Sequence, residues 1–226
     1  MHIPEGVLSV TTQHGVLVVS TSGVGVLCAG AVLSAAGTIA GLRKMDYEQV
    51  PRVAMLSAAF FVASLIHVPL GFTSAHLVLN GLVGLILGWA AFPALFVALL
   101  LQAVFFGYGG LTTLGINTLT MALPAVACHY LFRRGVRSDW EPLVFSVGFA
   151  AGALAIIGAA LLTASALLAC GKAFSTVSHA VLIAHLPIAV IEGFVTGSIV
   201  VFLRKVRPEL LDAPLLVPRQ LEVSGA

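Results

Sequence analysis

Seven long apolar runs, separated by short polar segments, dominate the hydrophobic pattern of this chain. Each is long enough, or nearly so, to cross about 30 Å of hydrocarbon as a helix rising about 1.5 Å per residue. The apolar residues are continuous rather than alternating with polar ones, which favours helices over barrel strands. The pattern therefore predicts an all-α integral membrane protein with about seven transmembrane helices. They cover approximately residues 15–42, 52–67, 75–88, 91–106, 112–132, 142–169 and 178–204.

The composition supports this fold class. Of 226 residues, 59% are hydrophobic and 9% charged, and the mean hydropathy is +1.09. Soluble domains carry roughly 25% charged residues. The three cysteines are far apart and form no CxxC pattern, so we interpret them as packing residues. Residues 1–14 contain no Lys or Arg, so no cleavable signal peptide is expected and Met1 should be retained.

The basic residues predict an orientation. Ten of the eleven follow spans one, five and seven, and only Lys172 falls on the other side. Because positive charge collects in cytoplasmic loops, the N-terminus is expected outside and the C-terminus in the cytoplasm. We expect one transmembrane domain over 1–206, with an N-terminal loop at 1–14, and a cytoplasmic tail over 207–226. The ten residues are Arg43, Lys44, Arg52, Arg133, Arg134, Arg137, Arg204, Lys205, Arg207 and Arg219.

In this orientation the outer side collects polar residues that suit a metal site or its cavity. His67 ends span two, and His76 opens span three at the same level. His129 alone among the histidines falls on the cytoplasmic side. The other candidates on the outer side are Thr73, Ser74, Gln102, Asn117 and His185, whereas His179 and His14 are expected to be unliganded.

Glu192 is the one carboxylate deep in a predicted helix. His185 lies seven residues earlier, which is two turns away on the same face. An ionisable group at such depth is costly and usually faces the bundle interior with a partner. Glu192 has two interpretations: a role beside a metal site, or a structural tie between helices.

The N-terminus offers three nitrogens in a row. The Met1 amine, the His2 amide and the His2 ring can chelate one ion in a plane, through a five-membered and a six-membered ring. Planar nitrogen coordination is what Ni(II) and Cu(II) favour. The alternative is that His2 stands there by chance.

Span one carries small residues at helical spacing: Gly30, Ser34, Gly37 and Gly41. Such a face allows close approach of another helix. That helix would belong either to a partner protein, which is the sharper hypothesis, or to this chain, which is the more frequent case.

Several motifs together resemble one family. They are Met1-His2-Ile3-Pro4-Glu5-Gly6 with Leu8-Ser9, Thr73-Ser74 with His76-Leu77, Gln102 with Phe105-Phe106-Gly107 and Gly109-Gly110-Leu111-Thr112, Gly115, Asn117 and Met121, and His185-Leu186-Pro187 with Ile191-Glu192-Gly193. The chain resembles the CbiM/NikM family, the substrate-binding membrane subunits of energy-coupling-factor importers for cobalt and nickel. Glu5, Phe72, Tyr108 and Thr120 depart from the family pattern, and Phe72 and Tyr108 are bulky residues beside the expected cavity.

The resemblance implies a seven-helix transport subunit and not an enzyme. Co²⁺ or Ni²⁺ would be its transported substrate, held by Met1, His2 and His67, with His76 orienting a ligand. It implies no catalytic cofactor and no nucleic acid. The partners would be a transmembrane coupling subunit, two cytoplasmic ATPase subunits, membrane lipid and, in some systems, a small accessory membrane protein.

Two other classes remain as alternatives. A stand-alone secondary transporter would show inverted repeats, and we find no convincing repeat. An intramembrane metallo-enzyme would need an open metal position and a general base, and the sequence has no HExxH. The ligand types do not separate cobalt from nickel.

Overall fold

The computed structural model describes Ile3 and residues 10–13, 16–19, 21–70 and 73–211. Seven α-helices lie in this part of the chain: α1 (Thr21–Arg43), α2 (Val50–Ala63), α3 (Asn80–Leu87), α4 (Ala91–Phe106), α5 (Leu114–Phe132), α6 (Glu141–Cys170) and α7 (Ser175–Val206). Two antiparallel hairpins accompany them, β1 (Val10–Gln13) with β2 (Val16–Val19), and β3 (His67–Leu70) with β4 (Thr73–His76).

Five helical stretches are long and apolar enough to cross a membrane: Thr21–Arg43, Asn80–Phe106, Leu114–Phe132, Glu141–Cys170 and Ser175–Val206. The chain is therefore a helical multi-pass membrane protein, as the apolar pattern predicted. Helix α2 has 14 residues, about 21 Å, and is shorter than the hydrocarbon layer.

The stretch Asn80–Phe106 reverses direction at Gly88, whose φ of +54° is open mainly to glycine. Asn80 donates to the Met121 carbonyl, 3.3 Å away, and Gly88 lies against His129. Helix α3 therefore runs in the same direction as α5. Helix α4 returns, from the end of α1 near Gly41 to the end of α2, where Phe106 stacks on Phe61. Helix α3 thus covers only part of the membrane depth.

The predicted element boundaries are wrong around both hairpins. Span one was expected from residue 15, but Val16–Val19 form a strand and the helix begins at Thr21. Span three was expected from residue 75, but β4 continues to His76 and the helix begins at Asn80. Valine and threonine fit strands as well as apolar helices, so hydrophobicity does not separate the two.

The small residues of α1 pack inside this chain. A Cβ placed on Gly37 would lie 2.5 Å from the Phe92 ring, and one on Gly30 would lie 2.7 Å from Ile116. Gly41 meets Trp89 and Pro93, and Ser34 is buried as well. The partner-helix interpretation of this face is therefore corrected: α4 and α5 already make the close approach that the small residues allow.

The basic residues of three loops meet at one end of the bundle, which we call the basic end. The buried Arg204 guanidinium donates to the carbonyls of Arg137 and Ser138, at 3.3 and 3.0 Å. Lys205 pairs with Glu141 at 2.7 Å, and Lys44 lies over the ring of Trp89. The positive-inside rule predicts that this end faces the cytoplasm.

Candidate metal site

The chain segment directly after His2 is anchored in the bundle, at the end opposite the basic end. Ile3 is 2% exposed and packs with Ile116, Leu167 and Cys170. Its backbone N–H donates to Asn117 Oδ1 at 2.9 Å, and Asn117 Nδ2 donates to the Ile3 carbonyl at 3.3 Å. That N–H belongs to the peptide bond between His2 and Ile3. Asn117 therefore holds the backbone next to His2, while Met1 and His2 themselves lie outside the described residues.

The Asn117 side chain is itself held in position. Its Nδ2 also donates to Thr113 Oγ1 at 3.2 Å, and Thr113 Oγ1 donates to the Gly109 carbonyl at 2.8 Å. Gly109 and Gly110 have φ values of +79° and +99°, so the turn before α5 requires glycine. This explains the Gly-Gly pair, and Thr113 is a site residue that the sequence interpretation missed.

Gln102 lies on α4 with its side chain completely buried. Within the described part of the chain neither its Nε2 nor its Oε1 has a hydrogen-bond partner. An unpaired buried polar group costs about 1–3 kcal/mol. Gln102 is one turn from Ala98 and Leu99, and Asn117 is one turn from Met121, and all three apolar residues belong to one core cluster. Both amides therefore border the same core.

The hairpin β3–β4 pairs the backbone positions of two candidate histidines. His67 is opposite His76, Val68 opposite Ala75 and Leu70 opposite Thr73. Pro69 is opposite Ser74 in the same register. The side chains of His67, Thr73, Ser74 and His76 lie outside the described part of the structure. Residues 67–76 therefore contain a short antiparallel hairpin, where the sequence predicted the end of one helix and the start of the next.

The Glu192 carboxylate binds the backbone directly after this hairpin. The side chain is 1% exposed and accepts hydrogen bonds from the backbone N–H groups of Val78 and Leu79, the latter at 3.0 and 3.1 Å to its two oxygens. These two residues come directly before α3, whose N-terminal end favours a negative charge. Glu192 therefore caps the chain where it enters α3 inside the membrane, where no water can do so. Leu79, with φ +55°, is a second residue that the sequence interpretation missed.

The remaining histidines do not gather. His185 Nδ1 is 2.6 Å from the Val181 carbonyl, and His179 Nδ1 is 2.7 Å from that of Ser175. A carbonyl only accepts, so Nδ1 carries the proton in each. His129 contacts the Leu85 carbonyl at the basic end. Among the described residues, no group of three or more His, Cys, Asp or Glu side chains is placed to hold a metal.

Comparison with known proteins identifies the family. A family model described as the cobalt uptake substrate-specific transmembrane region, CbiM, matches residues 2–210. A putative metal transport protein of Haemophilus influenzae is 40% identical over 216 residues, which are 94% of this chain and 97% of that protein. The fused nickel transport protein NikMN of Rhodobacter capsulatus is 34% identical and is matched over 96% of this chain and 65% of its own length.

A solved structure agrees with these relatives. The crystal structure of a truncated transition metal transporter superposes with a TM-score of 0.66 and 26% identity, covering 90% of this chain and 98% of that one. The cobalt transport protein CbiM of Sorangium cellulosum is 31% identical over 75% of this chain and 79% of its own length. With its apolar helices and this match over nearly its whole length, the chain belongs to the CbiM family and is a multi-pass membrane component of cobalt and nickel transport.

Proposed function

We propose that this chain is the substrate-specific subunit of an ATP-driven importer of the energy-coupling-factor type. It captures Co²⁺ or Ni²⁺ from outside through the Met1 amine, the His2 amide and ring, and His67. The supporting observation is the double hydrogen bond between Ile3 and Asn117. An N-terminus without a buried function would have little reason to be held inside a membrane bundle.

The remaining polar residues have supporting roles in this proposal. Asn117 and Thr113 hold the N-terminal segment, and Glu192 holds the chain that follows His76. Gln102 donates or accepts at the ligand cluster, where the N-terminal chelate or water on the ion would satisfy its amide. His76 orients a ligand, and His185 stands at the edge of the cavity.

Uptake requires partners in this proposal. The described helices carry no nucleotide-binding motif, so ATP hydrolysis belongs to two cytoplasmic ATPase subunits, joined through a transmembrane coupling subunit. The fused NikMN relative is longer than the region matched here. A small accessory membrane protein would take part in some systems.

The decisive test compares nickel and cobalt binding by the native protein with binding by a protein extended by two residues before Met1. The extension moves the amine away from the His2 ring, so we expect affinity to fall by more than the roughly 10–100-fold typical of losing a supporting contact. A matched extension after Ala226 should leave affinity unchanged. His67→Ala should lose binding as well, while His129→Ala at the basic end should retain it. Equal affinities for the native and N-terminally extended proteins would overturn the chelate.

A further inference from the structure

A cleft of about 190 Å³ opens at the basic end, remote from the anchor of Ile3. Four parts of the chain bound it: the end of α1 at Gly41 and Lys44, the start of α2 at Gln49 and Arg52, the α3–α4 turn over residues 86–90, and His129 of α5. The metal site proposed above makes no use of it.

The charge of this cleft is positive. Lys44 Nζ lies 4.7 Å from the centroid of the Trp89 ring, and Arg52 is half-buried nearby. Within the described residues no carboxylate lines the cleft, and the ion pairs there engage Arg204, Lys205 and Arg207 instead. Asp46 and Glu48 belong to the connection between Lys44 and Arg52, but neither lines the cleft. Glu209 also lies outside the cleft, where it is exposed and paired with Arg207. Its pKa is lowered by its own backbone N–H, by Arg207 and by the charge of Arg52.

The residues around the cleft are typical of the level of lipid headgroups. Both tryptophans and two of the three tyrosines are at the basic end. Tyr47 is 95% exposed and Trp140 65%, while Arg133 lies over the ring of Tyr130. Aromatic residues beside Lys and Arg mark the boundary between hydrocarbon and water. Next to Gly41, the side chains of Ile39 and Leu42 on α1 remain about half exposed and apolar.

We propose that this cleft binds the phosphate of an anionic phospholipid, with Lys44 and Arg52 as its cations and the Gln49 amide as a donor. Basic pockets between transmembrane helices suit such headgroups. The exposed apolar side chains of Ile39 and Leu42 would contact the acyl chains of the lipid. A free phosphate has no apolar part to make this contact. The lipid would join the end of α1 to the α3–α4 turn, beside Gly88, where α3 reverses.

The test measures lipid retained by the purified full chain in nanodiscs that contain phosphatidylglycerol and phosphatidylcholine in equal amounts. We expect phosphatidylglycerol to be enriched. The double variant Lys44→Gln with Arg52→Gln should reduce its retention roughly tenfold to thirtyfold. Arg133→Gln with Arg134→Gln removes the same charge from the same end outside the cleft and should retain the enrichment. Gln49→Glu, which adds one carboxylate to the cleft, should reduce retention even if the double variant folds poorly.

Four outcomes would overturn the proposal. Equal losses in the two double variants would indicate diffuse surface charge. Full displacement by millimolar inorganic phosphate would indicate a free anion site. Unchanged phosphatidylglycerol retention in Gln49→Glu would mean that the lipid does not bind in the cleft. Loss of assembly with the transporter subunits, without lipid enrichment in the isolated chain, would assign the cleft to an acidic protein partner. Nickel and cobalt binding should be unaffected in all three variants, so a failed chelate and a failed lipid site are distinguishable.

Discussion

At the scale of single residues, the buried side-chain amides of Asn117 and Gln102 differ in their hydrogen bonding. Asn117 uses both amide atoms, on Ile3 and Thr113, and so costs the fold little. Gln102 is equally buried, yet neither of its amide atoms is paired within the described residues. The Asn117 amide thus has its partners in place, whereas the Gln102 amide beside the same core has none among the described residues. In the proposed function, Gln102 forms its hydrogen bonds only when the metal ligands are assembled.

We predict that Gln102→Met separates stability from binding. The apolar side chain has similar volume and removes an unsatisfied group, so metal-free thermal stability should stay equal or rise by the equivalent of about 1–3 kcal/mol. Nickel or cobalt affinity should fall roughly 10–100-fold. Thermal unfolding and metal titration of the same preparations would measure both.

Asn117→Leu serves as the contrast for Gln102, because it removes contacts that are already present. We expect it to lower both thermal stability and metal affinity, since the backbone of Ile3 loses its partners. Thr120→Val is the matched control on the same helix, because the Thr120 hydroxyl donates to the Asn117 carbonyl, a backbone atom that does not bind Ile3. If Gln102→Met destabilises the metal-free protein as strongly as Asn117→Leu, its amide has a structural partner.

At the scale of elements, the short helix α3 depends on α7 for its first turn. Glu192 accepts from Val78 and Leu79, and Asn80 donates to the carbonyls of Met121 and Ala155. A helix that begins within the membrane must satisfy its N–H groups inside the protein. This cap also fixes the chain end that leaves the β3–β4 hairpin.

We predict that Glu192→Leu loosens the start of α3. Two N–H groups would lose their partner, at about 1–3 kcal/mol each, and amide hydrogen exchange around residues 78–83 should accelerate. Glu192→Gln keeps one oxygen and should restore part of the protection. Unchanged exchange in Glu192→Leu would mean that packing alone holds this turn.

Helix α1 provides a matched pair of glycines. Gly37→Leu should destabilise the fold by about 1–3 kcal/mol or more, because its Cβ would meet the Phe92 ring. Gly25→Leu on the same helix has no atom within 4 Å of the added Cβ and should be tolerated. Thermal unfolding in detergent compares them. Equal stability of the two variants would contradict internal packing and would favour a partner protein's helix against the small residues of α1.

At the scale of the molecule, α6 and α7 form a long antiparallel pair around close glycine contacts, such as Gly148 against Gly197. Without a hydrophobic difference between protein and lipid, association depends on such close packing and on buried hydrogen bonds. The result is a bundle with two distinct ends, one basic and aromatic and one that holds Ile3.

We predict that the basic end faces the cytoplasm. In a background without the native cysteines, an impermeant thiol reagent applied to intact cells should label Leu111→Cys and should not label Arg134→Cys. Both positions are exposed, at opposite ends of the bundle. Permeabilised cells should show labelling of both. The reverse pattern would place the N-terminus in the cytoplasm.

Fold class, membrane location and family were determined by the sequence alone, because continuous hydrophobicity and short sequence motifs are local properties. The sequence also nominated Asn117, Gln102 and Glu192 as polar residues of interest. Their partners could not be predicted from it, since each bond joins positions that are distant in the chain: Ile3 and Asn117 are separated by 114 residues. Only the tertiary structure decided that Glu192 caps α3, that the small face of α1 packs internally, and that residues 67–76 form a hairpin. Burial, pairing and close approach arise when helices meet, and a hydrophobic pattern records only that each helix avoids water.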